Sequence, residues 1–387
     1  MRYVDCMVWG CNLNPMLQRK IWILVGTRPE VIKQVPLYLA CVKAFGKTNV
    51  ALIGTGQHRE LLDQALRNFS VELDHNMQIM QPNQTLSASS AAVLTGMDEL
   101  LKKYQPEWIV VQGDTTTAAM AAWASFQHGV RVAHNEAGLR SYDLQNPFPE
   151  EANRKLVSIV ADAHFAPTEL AKAALLKEGV PADRIAVTGN TGIDALRMTL
   201  EMPVPENIKK ITEQMSLRKL KPVLLTAHRR ENRGDSMDKW FQALRTFIDG
   251  HPDLYLVYPM HPNNAGALAA QKHLASSDRV LLTSPFDYRA TCHLLQTCRF
   301  VVTDSGGIQE EASTLGMPVV VCRKTTERME AVHVGAARLA GTEVSDVLEA
   351  MQWAYAESAK APESQWRNIF GDGYSADRIA AFINRPV

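Results

Sequence analysis

An α/β fold, built as two parallel-sheet domains facing one another across a cleft, is what this sequence predicts, and three observations predict it. Short apolar runs alternate with segments of helical period from Ile21 almost to the C-terminus. The runs fall into two series, separated by the proline-containing, charge-dense stretch "LRMTLEMPVPENIKKITEQMSLRKLKP". Polar motifs stand directly after the runs, where parallel sheets of this kind bind ligands.

The first series reads as strands at "IWILVG", "NVALIG", "EWIVVQ", "VRVAHN", "DAHFAP" and "RIAVTG", with helices such as "PEVIKQVPLYLACVKAF" and "TTTAAMAAWASFQHG" between them. The second reads as "PVLLTAH", "LYLVYPM", "RVLLTS", "FVVTD" and "PVVVC". The division expected is an N-terminal extension (1–20), a Rossmann-like domain for sugar chemistry (21–195), a Rossmann-like nucleotide domain (196–365) and a closing segment (366–387) packed back on the first domain.

At 387 residues and 46% hydrophobic, the chain is long enough for two separate cores. Its formal net charge is zero, so no global positive field invites nucleic acid, and an anion must be held by local groups. Six scattered cysteines, Cys6, Cys11, Cys41, Cys292, Cys298 and Cys322, lack paired or zinc-like spacing, which favours free thiols in a cytoplasmic protein without a metal. No apolar stretch reaches the roughly 20 residues of a membrane span, and Asp5, Asn12 and Asn14 interrupt any signal-peptide core in the first twenty residues.

The motifs gather charge at the strand ends. In "GTRPEVIK", Arg28 and Lys33 lie on the turn and first helical turns after the first strand, able to reach an anion or a carboxylate. "GQHRE" places Gln57 and His58 at the same edge. "QGDTTTA" adds Asp114, with Thr115 positioned to cap the next helix. In "HNEAGLRSYDLQNPFPEEANRK", Glu136 follows a strand, and a helix begins near Glu150, Glu151 and Arg154. Acids in a first turn commonly serve the helix dipole. The convergence of Asp114, Glu136 and Glu150 on one cleft, opposite basic groups, favours acid and base work.

The second series supplies "TAHRRENRGD", where His228, Arg229, Arg230 and Arg233 suit a diphosphate, and "SPFDYR", where Phe286 offers a face to a base. In "TDSGGIQEEASTLG" a strand, a glycine turn and a helix start make an anion site above Ser305, Gly306 and Gly307, with carboxylates one turn later for ribose hydroxyls. Arg328 and Glu330 enter the last motif, "RKTTERMEAV".

"GTRPE", "GQHRE", "GDTTT", "EAGLRS", "PFPEEANR", "HRREN", "TDSGGIQEEA" and "TTER", in this order from about Ile21 onward, closely resemble the non-hydrolysing UDP-N-acetylglucosamine 2-epimerases. The resemblance implies a glycosyltransferase-B-like fold and cofactor-free interconversion of UDP-GlcNAc and UDP-ManNAc through 2-acetamidoglucal, feeding bacterial surface polysaccharide synthesis. It implies acid and base roles for Asp114, Glu136 and Glu150 and a leaving-group role for His228. Substrate contacts would come from Arg28, Lys33, Arg154, Phe286, Ser305, Gly306, Gly307, Glu311 as ribose acceptor, and Arg328. Gln57, Gln84 and Arg229 resemble parts of an activating UDP-GlcNAc site, and the family suggests a homodimer. Ser313, Met329 and Ile369 stand where proline is expected, and Lys324 where the residue is usually small or acidic. A hydrolysing epimerase, a glycosyltransferase of the same fold and a catalytically silent sensor are the alternatives.

Overall fold

The computed structural model describes residues 20–56, 59–79, 84–227, 235–260, 266–360 and 366–385. The first part of the chain runs β1 (Ile21–Val25), α1 (Arg28–Phe45), β2 (Val50–Gly54), α2 (Arg59–Asn68), β3 (His75–Asn76), α3 (Leu86–Lys103), β4 (Trp108–Gln112) and α4 (Thr116–Gln127). It continues through β5 (Arg131–Asn135), α5 (Glu150–Val160), β6 (Ala163–Ala166), α6 (Glu169–Lys177), β7 (Ile185–Val187) and α7 (Thr191–Leu200). After α8 (Glu206–Leu217) come β8 (Lys221–Thr226), α9 (Asp235–Gly250), β9 (Leu254–Pro259), α10 (Gly266–Leu274), β10 (Val280–Thr283), α11 (Tyr288–Leu295) and β11 (Phe300–Thr303). The chain closes with α12 (Gly306–Thr314), β12 (Val319–Val321), α13 (Met329–His333), β13 (Ala337–Leu339), α14 (Val344–Glu357) and α15 (Ser375–Ile383).

These strands form two wholly parallel sheets, ordered β3-β2-β1-β4-β5-β6-β7 and β10-β9-β8-β11-β12-β13. Two strands were not expected from the sequence. Strand β3 is a two-residue pairing of His75 and Asn76, too short and polar to show a pattern, and β13 is the three-residue stretch Ala337–Leu339.

Burial on both faces explains the uninterrupted apolar runs. Ile21, Ile23 and Val25 of β1 point into a cluster with Val31, Val35 and Leu196, while Trp22 and Leu24 point the other way, toward Val93, Met97 and Ala122. The second sheet repeats this: Phe300 and Val302 join Trp240 and Phe247, and Val301 joins Leu294 and Met317.

Strand order reverses between β1 and β4 in one sheet and between β8 and β11 in the other. Such reversals open a crevice beyond the carboxyl ends of the strands, and they fix where a ligand can sit.

Helix α15 returns to the first sheet. Ala376, Ile379, Ala380 and Ile383 bury one helical stripe in the cluster of α1, and Asp194 of α7 accepts the backbone N–H groups of Ser375 (3.2 Å) and Ala376 (2.8 Å). Just before it, Trp366 and Phe370 pack with the second sheet. At the crossing, Gly189 (φ +89°) meets Gly371 (φ +111°), and a Cβ on Gly189 would stand 2.9 Å from the Gly371 Cα. Among the described residues, no helix is long and apolar enough to cross a membrane.

Candidate active site

Glu136 is the first residue past β5 and takes φ +63°, a left-handed conformation rare for glutamate and costing roughly 1–3 kcal/mol. The neighbouring turn calls for glycine through its backbone: Gly113 has φ +67°, while a Cβ there would make only ordinary contact, 3.6 Å from a Glu136 carboxylate oxygen. The result is a buried carboxylate with a full set of donors. Its Oε1 receives Lys33 Nζ at 2.5 Å, Asn190 Nδ2 at 3.1 Å and Arg328 Nη2 at 3.1 Å, and Gln112 donates to Oε2. Burial would raise the carboxyl, but Lys33 and Arg328 outweigh it and hold Glu136 below the ordinary glutamate range. Burial likewise opposes the charge on Lys33, and Glu136 and Glu310 reverse that and hold it above the usual lysine value.

A second group continues from it. Asp114 is not the cap of α4, since Thr115 accepts the Ala118 N–H at 3.0 Å; Asp114 instead binds Arg154 Nη2 at 2.5 Å. Arg154 also contacts Glu151 at 3.0 Å and, across the cleft, Glu327 at 3.7 Å. Glu327 pairs with Arg323 at 3.0 Å and Arg328 at 3.6 Å. Burial pushes its carboxyl up, yet Arg328, Arg323 and Arg154 bring it well below the usual range. Glu151 is wholly buried and accepts the backbone N–H groups of Ser141 and Tyr142, each at 3.0 Å, so it builds the loop after β5. Glu150, partly buried, opens α5, where Pro149 supplies no side-chain cap.

The start of α12 forms the opposite wall. Ser305 stands at its N-cap without accepting a side-chain hydrogen bond, and its own N–H is taken by Thr303 Oγ1 at 2.9 Å. A Cβ on Gly306 would lie 2.8 Å from the Arg328 guanidinium carbon, whereas one on Gly307 would meet nothing within 4 Å. Glycine at 306 therefore seats Arg328, and Gly307 borders open space. One turn on, Glu311 accepts Tyr288 Oη at 3.0 Å, and burial pushes its carboxyl up to about 7, with Glu310 adding to the rise. Arg28, half-buried at the start of α1, is near enough to pull Glu311 down slightly.

Phe286 departs from expectation. It is 9% exposed and packed with Ile193, Leu294 and Phe370, so the free stacking face read from "SPFDYR" is largely covered. Gln84, half-buried just ahead of the Thr85 cap of α3, keeps its amide oxygen buried without a hydrogen-bond partner. His228, Arg229 and Gln57 lie outside the described residues.

Four members of the network were not singled out as candidates from the sequence, Gln112, Asn190, Arg323 and Glu327, and Glu310 was read only as one of the carboxylates for ribose hydroxyls. Gln112 ends β4 and Asn190 caps α7, so position at a strand end was the available signal. A cavity of about 530 Å³ opens beside the network, between the loop after β5 and the stretch joining β12 to α13, where Arg140, Tyr142, Lys324 and Glu330 line it. Among the described residues, no group of three or more His, Cys, Asp or Glu could hold a metal ion.

Two parallel sheets meeting through buried carboxylates and cations, with an open helix start on one wall, define a glycosyltransferase-B-like α/β protein. The model of the UDP-N-acetylglucosamine 2-epimerase family matches residues 42–384. The chain is 41% identical over 365 residues to the UDP-N-acetylglucosamine 2-epimerase of Bacillus subtilis, covering 94% of each chain. It overlays on the Neisseria meningitidis UDP-GlcNAc 2-epimerase bound to UDP-GlcNAc with a TM-score of 0.84 at 37% identity, covering 94% of this chain and 99% of that one. The match to the Staphylococcus aureus MnaA complex with UDP has a TM-score of 0.84 at 39% identity, covering 94% and 96%. This chain belongs to the UDP-N-acetylglucosamine 2-epimerase family.

Proposed function

We propose that the chain interconverts UDP-GlcNAc and UDP-ManNAc without hydrolysis, by eliminating UDP and adding it back. The observation that carries this reading is Glu136: a buried, ionised carboxylate held by Lys33 and Arg328, facing a helix start whose N–H groups have no side-chain cap. Inverting C2 without an oxidising cofactor requires a proton to leave one face and another to arrive on the opposite face. In the elimination, Glu136 takes the C2 proton, the C1–O bond breaks with its electron pair passing to UDP, and a C1–C2 double bond forms in 2-acetamidoglucal. In the return, a second acid group, Glu150 or Asp114, delivers a proton to the other face of C2 while UDP reattaches at C1.

The departing diphosphate is assigned to Ser305, Gly306 and Gly307 at the start of α12 together with His228, and the ribose to Glu311. Arg28, Lys33, Arg154 and Arg328 supply fixed positive charge, which does the work a divalent cation does elsewhere. Gln57, Gln84 and Arg229 are assigned to a second, activating nucleotide-sugar site. A homodimer in the cytoplasm, supplying surface polysaccharide synthesis, completes the proposal.

Proton NMR of the purified protein with UDP-GlcNAc in D₂O tests the reaction. UDP-ManNAc carrying deuterium at C2 is the expected product. Free ManNAc with stoichiometric UDP would identify a hydrolysing enzyme, and product with an unexchanged C2 hydrogen would rule out elimination.

A further inference from the structure

We propose that Glu310 is a positioning residue of this site: from the opposite sheet it holds Lys33, Asn190 and Arg328 in place against Glu136. The proposal rests on the reading of Glu136 as the proton-transfer group. Glu310 lies one turn into α12 and is 2% exposed. Its Oε1 accepts Arg328 Nε at 2.9 Å, and its Oε2 accepts Asn190 Nδ2 at 3.0 Å and Lys33 Nζ at 3.4 Å. These are the same three side chains that converge on Glu136 Oε1, at 2.5, 3.1 and 3.1 Å. Two carboxylates, one from each sheet, thus share three donors, two of them cationic.

The sharing has a geometric and an electrostatic part. Lys and Arg side chains are long and lose much rotamer freedom when fixed, and a second acceptor on the far side defines where each nitrogen stops. Glu310 also takes up part of the field of two cations. With that charge removed, Lys33 and Arg328 would act on Glu136 unopposed and make it a poorer base. The charged groups against Glu136 are Lys33 from α1 and Arg328 from the stretch before α13, and those two cations also contact Glu310 from α12 and, for Arg328, Glu327. His134 of β5, also nearby, is kept neutral by burial, which brings it down to about 3.

Glu310→Gln keeps the shape and removes the charge. Its kcat should fall about tenfold or more, KM for UDP-GlcNAc should change less than threefold, and the acid limb of the kcat–pH profile should move to lower pH by at least about half a unit. Glu310→Asp, which retains the charge, should return the limb to its original position. A buried cation without its partner endangers folding, so Lys33→Gln and Lys33→Gln/Glu310→Gln form a second comparison, in which loss of Glu310 should again lower the limb. An unmoved limb in both comparisons would show that Glu310 only braces the fold and would overturn the proposal. Near wild-type kcat in Glu136→Gln would instead overturn the reading of Glu136, independently of Glu310.

Discussion

The helices that start at the cleft divide into sealed and open ends. Helix α1 is sealed by a capping box, in which Glu30 accepts the N–H groups of Gly26 (2.9 Å) and Thr27 (2.6 Å) and Thr27 Oγ1 accepts the Glu30 N–H at 3.4 Å. Helix α4 is sealed by Thr115, whose hydroxyl also donates to Glu30 at 2.6 Å, tying the two ends together. Helix α12 has the same strand, turn and helix construction, yet Ser305 caps nothing and the side chain at 307 is absent. The sealed ends make a rigid wall that presents Lys33 and Glu136. The open end leaves its N–H groups without a side-chain cap, as does the start of α5 at Pro149, and the bare Gly307 adds the room that supports the proposed place of the diphosphate in the second sheet.

The largest effect expected is at the sealed wall. Glu136→Gln should lower kcat on the order of 10²-fold or more with modest change in nucleotide affinity, read by steady-state kinetics and UDP titration. A parallel loss of nucleotide affinity would break the division of labour between the walls. Next is the open end. Gly307→Ala meets no atom in the fold and should leave thermal stability unchanged or raise it by up to about 1 kcal/mol, as alanine does in a helix. If the diphosphate binds as proposed, the same methyl meets it, so UDP affinity should fall about tenfold in calorimetric titration. Gly306→Ala strikes the Arg328 guanidinium and should lose kcat as well. Smallest is Thr27→Ala, which unseals α1 and should cost about 1 kcal/mol in urea unfolding, with kcat changed less than threefold.

Much of this architecture is legible in the sequence because both sheet faces are buried, so that β1 or β11 must be apolar throughout and stands out against the polar turns. Strands β3 and β13 escape because two or three residues on a sheet edge need no such run. In the site, the acids after strands and their basic partners Lys33, Arg154 and Arg328 are visible as residues, but which of them pair is not. Asn190 and Glu310 approach from α7 and α12, far apart in sequence, and only the meeting of the two sheets shows that they share donors with Glu136. Glu30 and Glu151 show the opposite: two acids within prominent motifs whose oxygens accept backbone N–H groups and support the wall. Phe286 shows that an aromatic beside a turn is as easily core as contact surface.

The chain of ion pairs between the sheets has an odd member. Lys33, Arg154, Arg323 and Arg328 face Asp114, Glu136, Glu151, Glu310 and Glu327. The proposed diphosphate, entering beside them, adds still more negative charge. Arg28 at the same wall offsets part of that charge, and a proton taken up from the medium can offset more. Glu311, already held near 7, is the group best prepared to accept that proton. Nucleotide affinity and solvent acidity then become one linked quantity, visible as a binding heat that changes with the ionisation enthalpy of the buffer.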